Sequence, residues 1–185
     1  MLPEILQKAS LFLILHRIDV DLARQHQQGG CPCCSGPLHQ ANYMRKPRGG
    51  PDGIPEACHL RLSLCCGREE CRRRSLPPSV RFMGRRVYWG CVILVVMTLR
   101  QGRPDGMSAN KLKKLYGVTR LTIKRWIAYF REVFPFTARW QRLRGRVSPS
   151  VRDSDLPGAL LRFFLHNSES PEKGLIACLY SLATA

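Results

Sequence analysis

Acidic residues are scarce in this chain: 13 Asp and Glu stand against 30 Lys and Arg among 185 residues. A phosphoryl-transfer nuclease gathers several carboxylates around paired metal ions on a strand-rich core. Here the few carboxylates are scattered among apparent loops and helix surfaces, so no catalytic residue is assigned and no enzyme is expected. Long apolar runs are also missing. The longest, Val87 to Leu99, covers about 13 residues, short of the roughly 20 that a membrane crossing needs. It is bracketed by Arg85, Arg86 and Arg100, so it reads as a buried helix, and no membrane partner is expected. An export signal is not evident either: Leu11–Leu15 is too short for its apolar core, and Glu4 precedes every basic residue. The expectation is a reducing, cytoplasmic setting, where paired cysteines hold metal or run redox chemistry before they form disulfides.

What the chain has in excess is positive charge, and it is concentrated. The formal net charge is +17 with a pI near 10.2. Residues 45–146 hold 24 Lys/Arg and 6 Asp/Glu, while the flanks hold 6 and 7. A surface made basic only for solubility would not leave the flanks neutral. A polyanion is the expected partner, because each neutralised phosphate releases counterions.

Seven of the nine cysteines fall between Cys31 and Cys71, with His39 and His59 among them. Tetrahedral zinc is held most easily by two ligand pairs from two tight turns. Cys31-x2-Cys34 offers one pair and Cys66-x4-Cys71 the other, so Zn2+ on Cys31, Cys34, Cys66 and Cys71 is the expected centre. Alternatives stay open: Cys33 for Cys34, Cys65 for Cys66, or a contribution from Cys58-His59 or His39. A rival reading takes Cys31-Pro32-Cys33-Cys34 as a Cys-Pro-x-Cys redox pair, which needs a strand before and a helix after. A Gln/Gly linker precedes it and Ser-Gly-Pro follows, which disfavours thiol redox chemistry. Cys91 and Cys178 read as small buried hydrophobes.

In chain order, apolar spacing predicts one helix over residues 3–27. Arg45 to Gly53 reads as a Pro/Gly loop, its basic residues able to lie in a minor groove. Leu60, Leu62 and Leu64, alternating with Arg61 and Ser63, read as a short strand. A helix is expected over 84–101, buried through Val87, Cys91, Leu94, Val95 and Thr98 and ended by Gly102–Gly106. Ser108 should cap a short helix to Tyr116, and Thr119 a longer one to about Val133, stopped by Pro135. Two more helices are expected near 160–166 and 172–183, the second capped by Ser170. They suit either a docking tail or completion of the core.

Three helices with the sharp Gly117-Val118-Thr119 turn between the last two suggest a helix-turn-helix. Val118, Ile123, Trp126, Ile127 and Phe130 should face inward with Leu112 and Leu115. Arg120, Thr122, Lys124 and Arg125 are left for base edges or phosphates, and Lys111, Lys113 and Lys114 for phosphates. Arg72, Arg73 and Arg74, with Arg81, Arg85 and Arg86, extend this surface toward the cysteines. Arg139, Arg142, Arg144 and Arg146, with Trp140 among them, form a basic tail.

The fold class expected is mainly α with a small zinc-stabilised β element: a zinc ribbon followed by a helix-turn-helix. Four segments divide it: an N-terminal helix (1–28), a zinc-ribbon-like module (29–80), a helix-turn-helix DNA-binding domain with basic tail (81–147) and a helical C-terminal tail (148–185). Cys31-Pro-x-Cys34, Cys66 to Cys71 and Leu115-Tyr-Gly-Val-Thr-Arg-Leu-Thr-Ile-Lys-Arg-Trp126 resemble the zinc-ribbon plus helix-turn-helix proteins of bacterial insertion elements and the N-terminal modules of some transposases. The resemblance covers residues 31–131 and implies binding of element ends and repression of transcription. The x4 second pair, the long Arg-Lys-Pro-Arg-Gly-Gly insertion and the helical tail depart from that pattern. The expected function is a non-catalytic, zinc-dependent protein of double-stranded DNA, nucleoid-associated, serving a mobile element as regulator or end-binding factor. The alternative is an accessory subunit recruiting a transposase or nuclease through the terminal helices. RNA is a second candidate polyanion.

Overall fold

The computed structural model describes residues 2–84, 86–101 and 106–185. The chain is mainly helical with small antiparallel sheets. It begins with α1 (Leu2–Ile5) and α2 (Ala9–Gln28), so the single helix expected over 3–27 is two. The break has a packing reason. In one straight helix Leu6 would point away from Leu11, Phe12 and Leu15. Turning the chain at Gln7-Lys8, with Lys8 extended, lets all four reach 0% exposure.

Next come β1 (Leu38–Gln40), β2 (Tyr43–Met44), the helical turn α3 (Glu56–His59), β3 (Leu60–Arg61), β4 (Leu64–Cys66) and β5 (Arg74–Ser75). Strands β1, β4 and β5 form an antiparallel sheet in that order, with Leu38 opposite Cys66 and Leu64 opposite Ser75. Strands β2 and β3 form a separate pair. The single strand expected over 60–64 is therefore split between two sheets. Its polar positions do not face water: Arg61 is 7% exposed and Ser63 0%. Arg61 donates to the Pro77 carbonyl at 2.7 Å and lies over the Phe82 ring.

The loop at 45–53 is docked, not a free arm. Arg48 bridges to Tyr88, its amide donating to the Val87 carbonyl at 2.8 Å. Arg45 donates to the carbonyls of Gly84 and Arg86, both at 2.8 Å. Gly49, at φ +87, lies where a Cβ would come within 2.8 Å of Val92 Cγ1, so only glycine permits the approach. This docking engages Tyr88 in a β-bridge and the Val87 carbonyl and Trp89 amide in hydrogen bonds to Arg48, outside any helix. The helix α4 (Gly90–Gln101) accordingly starts later than expected, and Val87 is 55% exposed where burial was expected. The turn expected to end α4 lies at Gly102–Asp105, outside the described residues.

Gly90 through Thr98 are all buried, and a helix apolar all round belongs at a centre. Around α4 pack α5 (Ala109–Tyr116), α6 (Arg120–Glu132), α8 (Gly158–His166) and α9 (Pro171–Thr184). Between α6 and α8 runs a 3-10 turn (Phe134–Phe136) and then α7 (Ala138–Arg144). The basic tail expected after α6 is this folded helix. Trp140 is 1% exposed and donates Nε1–H to Asp153 Oδ1 at 2.7 Å. Helices α8 and α9 contribute Leu160, Leu161, Leu175, Cys178, Leu179 and Leu182 to the same core as Ile5 and Leu11. Among the described residues no helix is long and apolar enough to cross a membrane.

Candidate metal centre and nucleic-acid surface

Two tight turns bring four cysteines together. In the first, ahead of β1, the Ser35 amide donates to the Cys31 carbonyl at 2.8 Å and the Cys31 amide to the Gly36 carbonyl at 2.9 Å. In the second, between β4 and β5, the amides of Cys71 and Arg72 both donate to the Arg68 carbonyl. Each turn is closed by a non-glycine residue in the left-handed region just after its second cysteine, Ser35 at φ 56 and Arg72 at φ 43. Such residues are uncommon and persist where the surroundings fix them. The β1–β4 pairing then sets the two turns side by side.

The Sγ atoms of Cys31, Cys34, Cys66 and Cys71 all lie within 4.8 Å of one another. Cys31 to Cys71 is 3.7 Å and Cys34 to Cys66 is 3.5 Å, far beyond a disulfide's S–S bond. A tetrahedral ion with metal–sulfur bonds near 2.3 Å places its sulfurs about 3.8 Å apart. The four thiols fit a metal ion on that test. The cluster has its own small apolar shell in Leu38 and Leu64, separate from the main core.

The alternative ligands are placed elsewhere. Cys33 is exposed, and Cys65 Sγ donates toward the Arg72 carbonyl at 3.4 Å. Cys58 is buried against α2, its thiol donating to the Phe12 carbonyl, and the His59 ring stacks on Trp89 at 5.6 Å. His39 is exposed on β1.

The thiols differ in acidity. The amides of Cys33 and Cys34 bring Cys31 down to about 7. At Cys34 the Gly36 amide favours the thiolate, but burial and the neighbouring thiols outweigh it and push the group up to about 12. Cys66 is raised likewise, despite the Arg68 amide. One thiolate is therefore available near neutral pH, and a metal ion would have to displace protons to engage the rest.

The basic residues sort into free and engaged. Arg72, Arg73 and Arg74 are exposed beside the cysteine cluster, with Arg74 lying 5.4 Å over the Tyr43 ring. On α5, Lys111, Lys113 and Lys114 are exposed. Ser108 and Thr119 cap α5 and α6 as expected, each accepting from the amide three residues on. Gly117 sits at φ 64 between the helices, the left-handed stop that lets α6 fold back on α5. Val118, Ile123, Trp126 and Phe130 are buried, whereas Leu115, expected inward, is 42% exposed.

On the outward face of α6, Lys124 and Arg125 are exposed with no hydrogen bond or ion pair among the described residues. Arg120 is engaged, its Nε and Nη2 both donating to Asn110 Oδ1 at 3.1 and 2.9 Å. The Thr122 hydroxyl lies 2.9 Å from that of Thr119. Arg86 lies 3.9 Å over the Tyr129 ring. Arg85 is outside the described residues. Arg81 belongs to the interior, with 0% exposure, and not to any basic patch. Two exposed apolar residues were not expected from the sequence: Leu121, 57% exposed in the first turn of α6, and Phe136, 80% exposed in the 3-10 turn that follows the helix. Both fall outside the inward helical spacing, the one signal that could have marked them.

No protein-family model matches the chain, and no curated protein or solved structure matches it either.

Proposed function

We propose that the chain is a non-catalytic DNA-binding protein braced by zinc. The cysteine module acts as a zinc ribbon, and α4–α6 act as a helix-turn-helix in which α6 is the recognition helix. The reading rests most on one observation. The exposed cations Arg72, Arg73, Lys111, Lys113, Lys114, Lys124 and Arg125 have no carboxylate partner among the described residues. Cations left unpaired on exposed faces are the footprint of a phosphate partner. Four sulfur ligands from Cys31, Cys34, Cys66 and Cys71 favour zinc, which in a closed site of this kind supplies folding energy and no catalysis.

Lys124 and Arg125 have the reach for base edges, while Lys111 and Lys114 suit phosphates, which position without reading sequence. A role as regulator or end-binding factor of a mobile element follows the resemblance carried by the cysteine pairs and the 115–126 stretch. Recruitment of a separate transposase through the terminal helices has less support, because α8 and α9 bury their apolar faces on α4. A thiol redox role has less still, because the first cysteine turn leads into β1 and not into a helix.

Selection from a random duplex pool tests the function. Recovery of a common site, bound more tightly than scrambled duplex, supports it. Enrichment of nothing, or equal affinity for structured RNA, counts against it.

A further inference from the structure

Phe136 is the most exposed large apolar residue among the described residues, at 80%. It is held on a rigid corner. Its amide donates to the Val133 carbonyl at 3.1 Å, and the neighbours on its N-terminal side, Phe134 and Pro135, are buried beneath it. The Phe134 ring packs on Phe130 at 5.3 Å and on Trp140 at 5.9 Å. Gln141 Nε2 donates to the Pro135 carbonyl at 2.6 Å, and the Thr137 hydroxyl donates to the Phe134 carbonyl at 2.7 Å. The chain thus fixes the backbone on both sides of an aromatic ring that it leaves in water.

The ring's surroundings are cationic. Arg131, at the end of α6, and Arg139 and Arg142, on α7, are exposed on the two helices that flank the corner, as is Val133, at 51%. Glu132, next to the corner in sequence, is paired with Arg131, which leaves Arg139 and Arg142 without a carboxylate partner among the described residues. An apolar protein partner would not call for two unpaired arginines beside the ring, whereas phosphates on either side of a base step would. Helical periodicity also puts Leu121, Lys124, Arg125, Ala128 and Arg131 on one face of α6, and the turn carrying Phe136 follows directly on that helix.

From this geometry we infer that Phe136 is an apolar wedge that enters between two base pairs of the bound duplex and kinks it, Arg139 and Arg142 holding the phosphates of that step. The inference rests on the DNA-binding reading and adds a second contact to it. Apolar side chains are inserted in this way by proteins that bend DNA, and pyrimidine–purine steps are the easiest to unstack. The wedge sits at the opposite end of α6 from its first turn, about 20 Å away at 1.5 Å per residue. The step entered therefore lies within about six base pairs of the bases met by the helix N-terminus, at 3.4 Å per step.

The test uses the full chain and a duplex of about 30 base pairs carrying the selected site, with a donor and an acceptor dye at its ends and one TA step moved along the flank. The chain should raise energy transfer, most of all when the TA step lies within about six base pairs of the contacted bases. Phe136→Ala should abolish the rise and weaken binding about tenfold, with the salt dependence unchanged because no phosphate contact is lost. Phe136→Leu, an apolar wedge still, should keep most of both. Equal bending by Phe136→Ala would overturn the inference while leaving DNA binding intact. So would unchanged DNA binding together with lost affinity for anionic vesicles. A wild-type chain that binds no duplex at all would remove the DNA-binding reading, and this inference with it. The exposure of Phe136 means its replacements should melt at the wild-type temperature, which separates loss of the wedge from loss of fold.

Discussion

Arg81 Nε lies 2.8 Å from Asp19 Oδ2, and neither side chain is exposed to solvent. The pair is fully partnered. Asp19 also accepts from the Ser79 hydroxyl and the Val80 amide, and Arg81 also donates to the carbonyls of Cys58 and Leu60. Those bonds tie α2 to the end of α3, to the start of β3 and to the segment entering α4. The ion pair is thus the joint between the main core and the chain carrying the cysteines.

Breaking that joint from one side leaves a buried charge unpaired. Asp19→Ala should lower stability by about 3–5 kcal/mol, measured by urea denaturation. The double replacement Asp19→Leu with Arg81→Met should lose much less, because no charge is stranded. Equal losses would mean that packing, not charge pairing, makes the joint.

Ligand assignment is tested by neighbouring cysteines. Cys34→Ser and Cys71→Ser should each lose bound metal and the folded cysteine module together. Cys33→Ser and Cys65→Ser should keep both. Elemental analysis of the purified variants, paired with near-ultraviolet circular dichroism, decides it. Metal lost from Cys33→Ser would shift the ligand set by one residue.

Metal uptake should release protons. With Cys34 near 12 and Cys66 raised, both thiols are protonated at pH 7.5, while Cys31, near 7, is largely ionised. Zinc binding should then displace at least about two protons per ion. Affinity should fall as pH drops, most steeply once Cys31 is protonated too. An indicator dye in weak buffer reads the protons directly, and release of none would show a cluster already ionised.

Arg120 and Arg125 of α6 should behave differently. Arg125→Ala should cost about 1–3 kcal/mol on the selected site and less on scrambled duplex, as loss of a base contact does. Arg120→Ala should cost less on DNA, because Arg120 is held by Asn110. Lys114→Ala should weaken binding to all duplexes alike and reduce the salt slope by about one. Competition binding at two salt concentrations separates the three.

How far the sequence could be read depended on the range of the interaction. Ser108, Thr119 and Ser170 were legible as caps because a cap is a contact across three residues, and each accepts the expected amide. The two cysteine pairs were legible for the same reason. Spacing already favoured Cys66 over Cys65, and the strand pairing, which turns alternate side chains to opposite faces, separates the two. Contacts between distant residues left no local trace. Arg81 and Asp19 are 62 positions apart, so Arg81 looked like one more surface arginine. Arg61 misled in the same way, its alternation with leucines suggesting a wet face where the structure has a buried one. The docking of Gly49 on Val92 likewise turned an apparent free arm into part of the frame.

On the proposed function, a four-thiolate metal site fixes the basic cysteine module so that it and α5–α6 hold one polyanion together. Fluorescence anisotropy of a labelled duplex, titrated with zinc-loaded and with chelator-treated protein across a range of salt, tests this directly. Log affinity should fall linearly with log salt for the loaded protein, and chelation should weaken binding and flatten the slope as the contacts of Arg72–Arg74 are lost. Affinity indifferent to salt, or identical with and without metal, would contradict it.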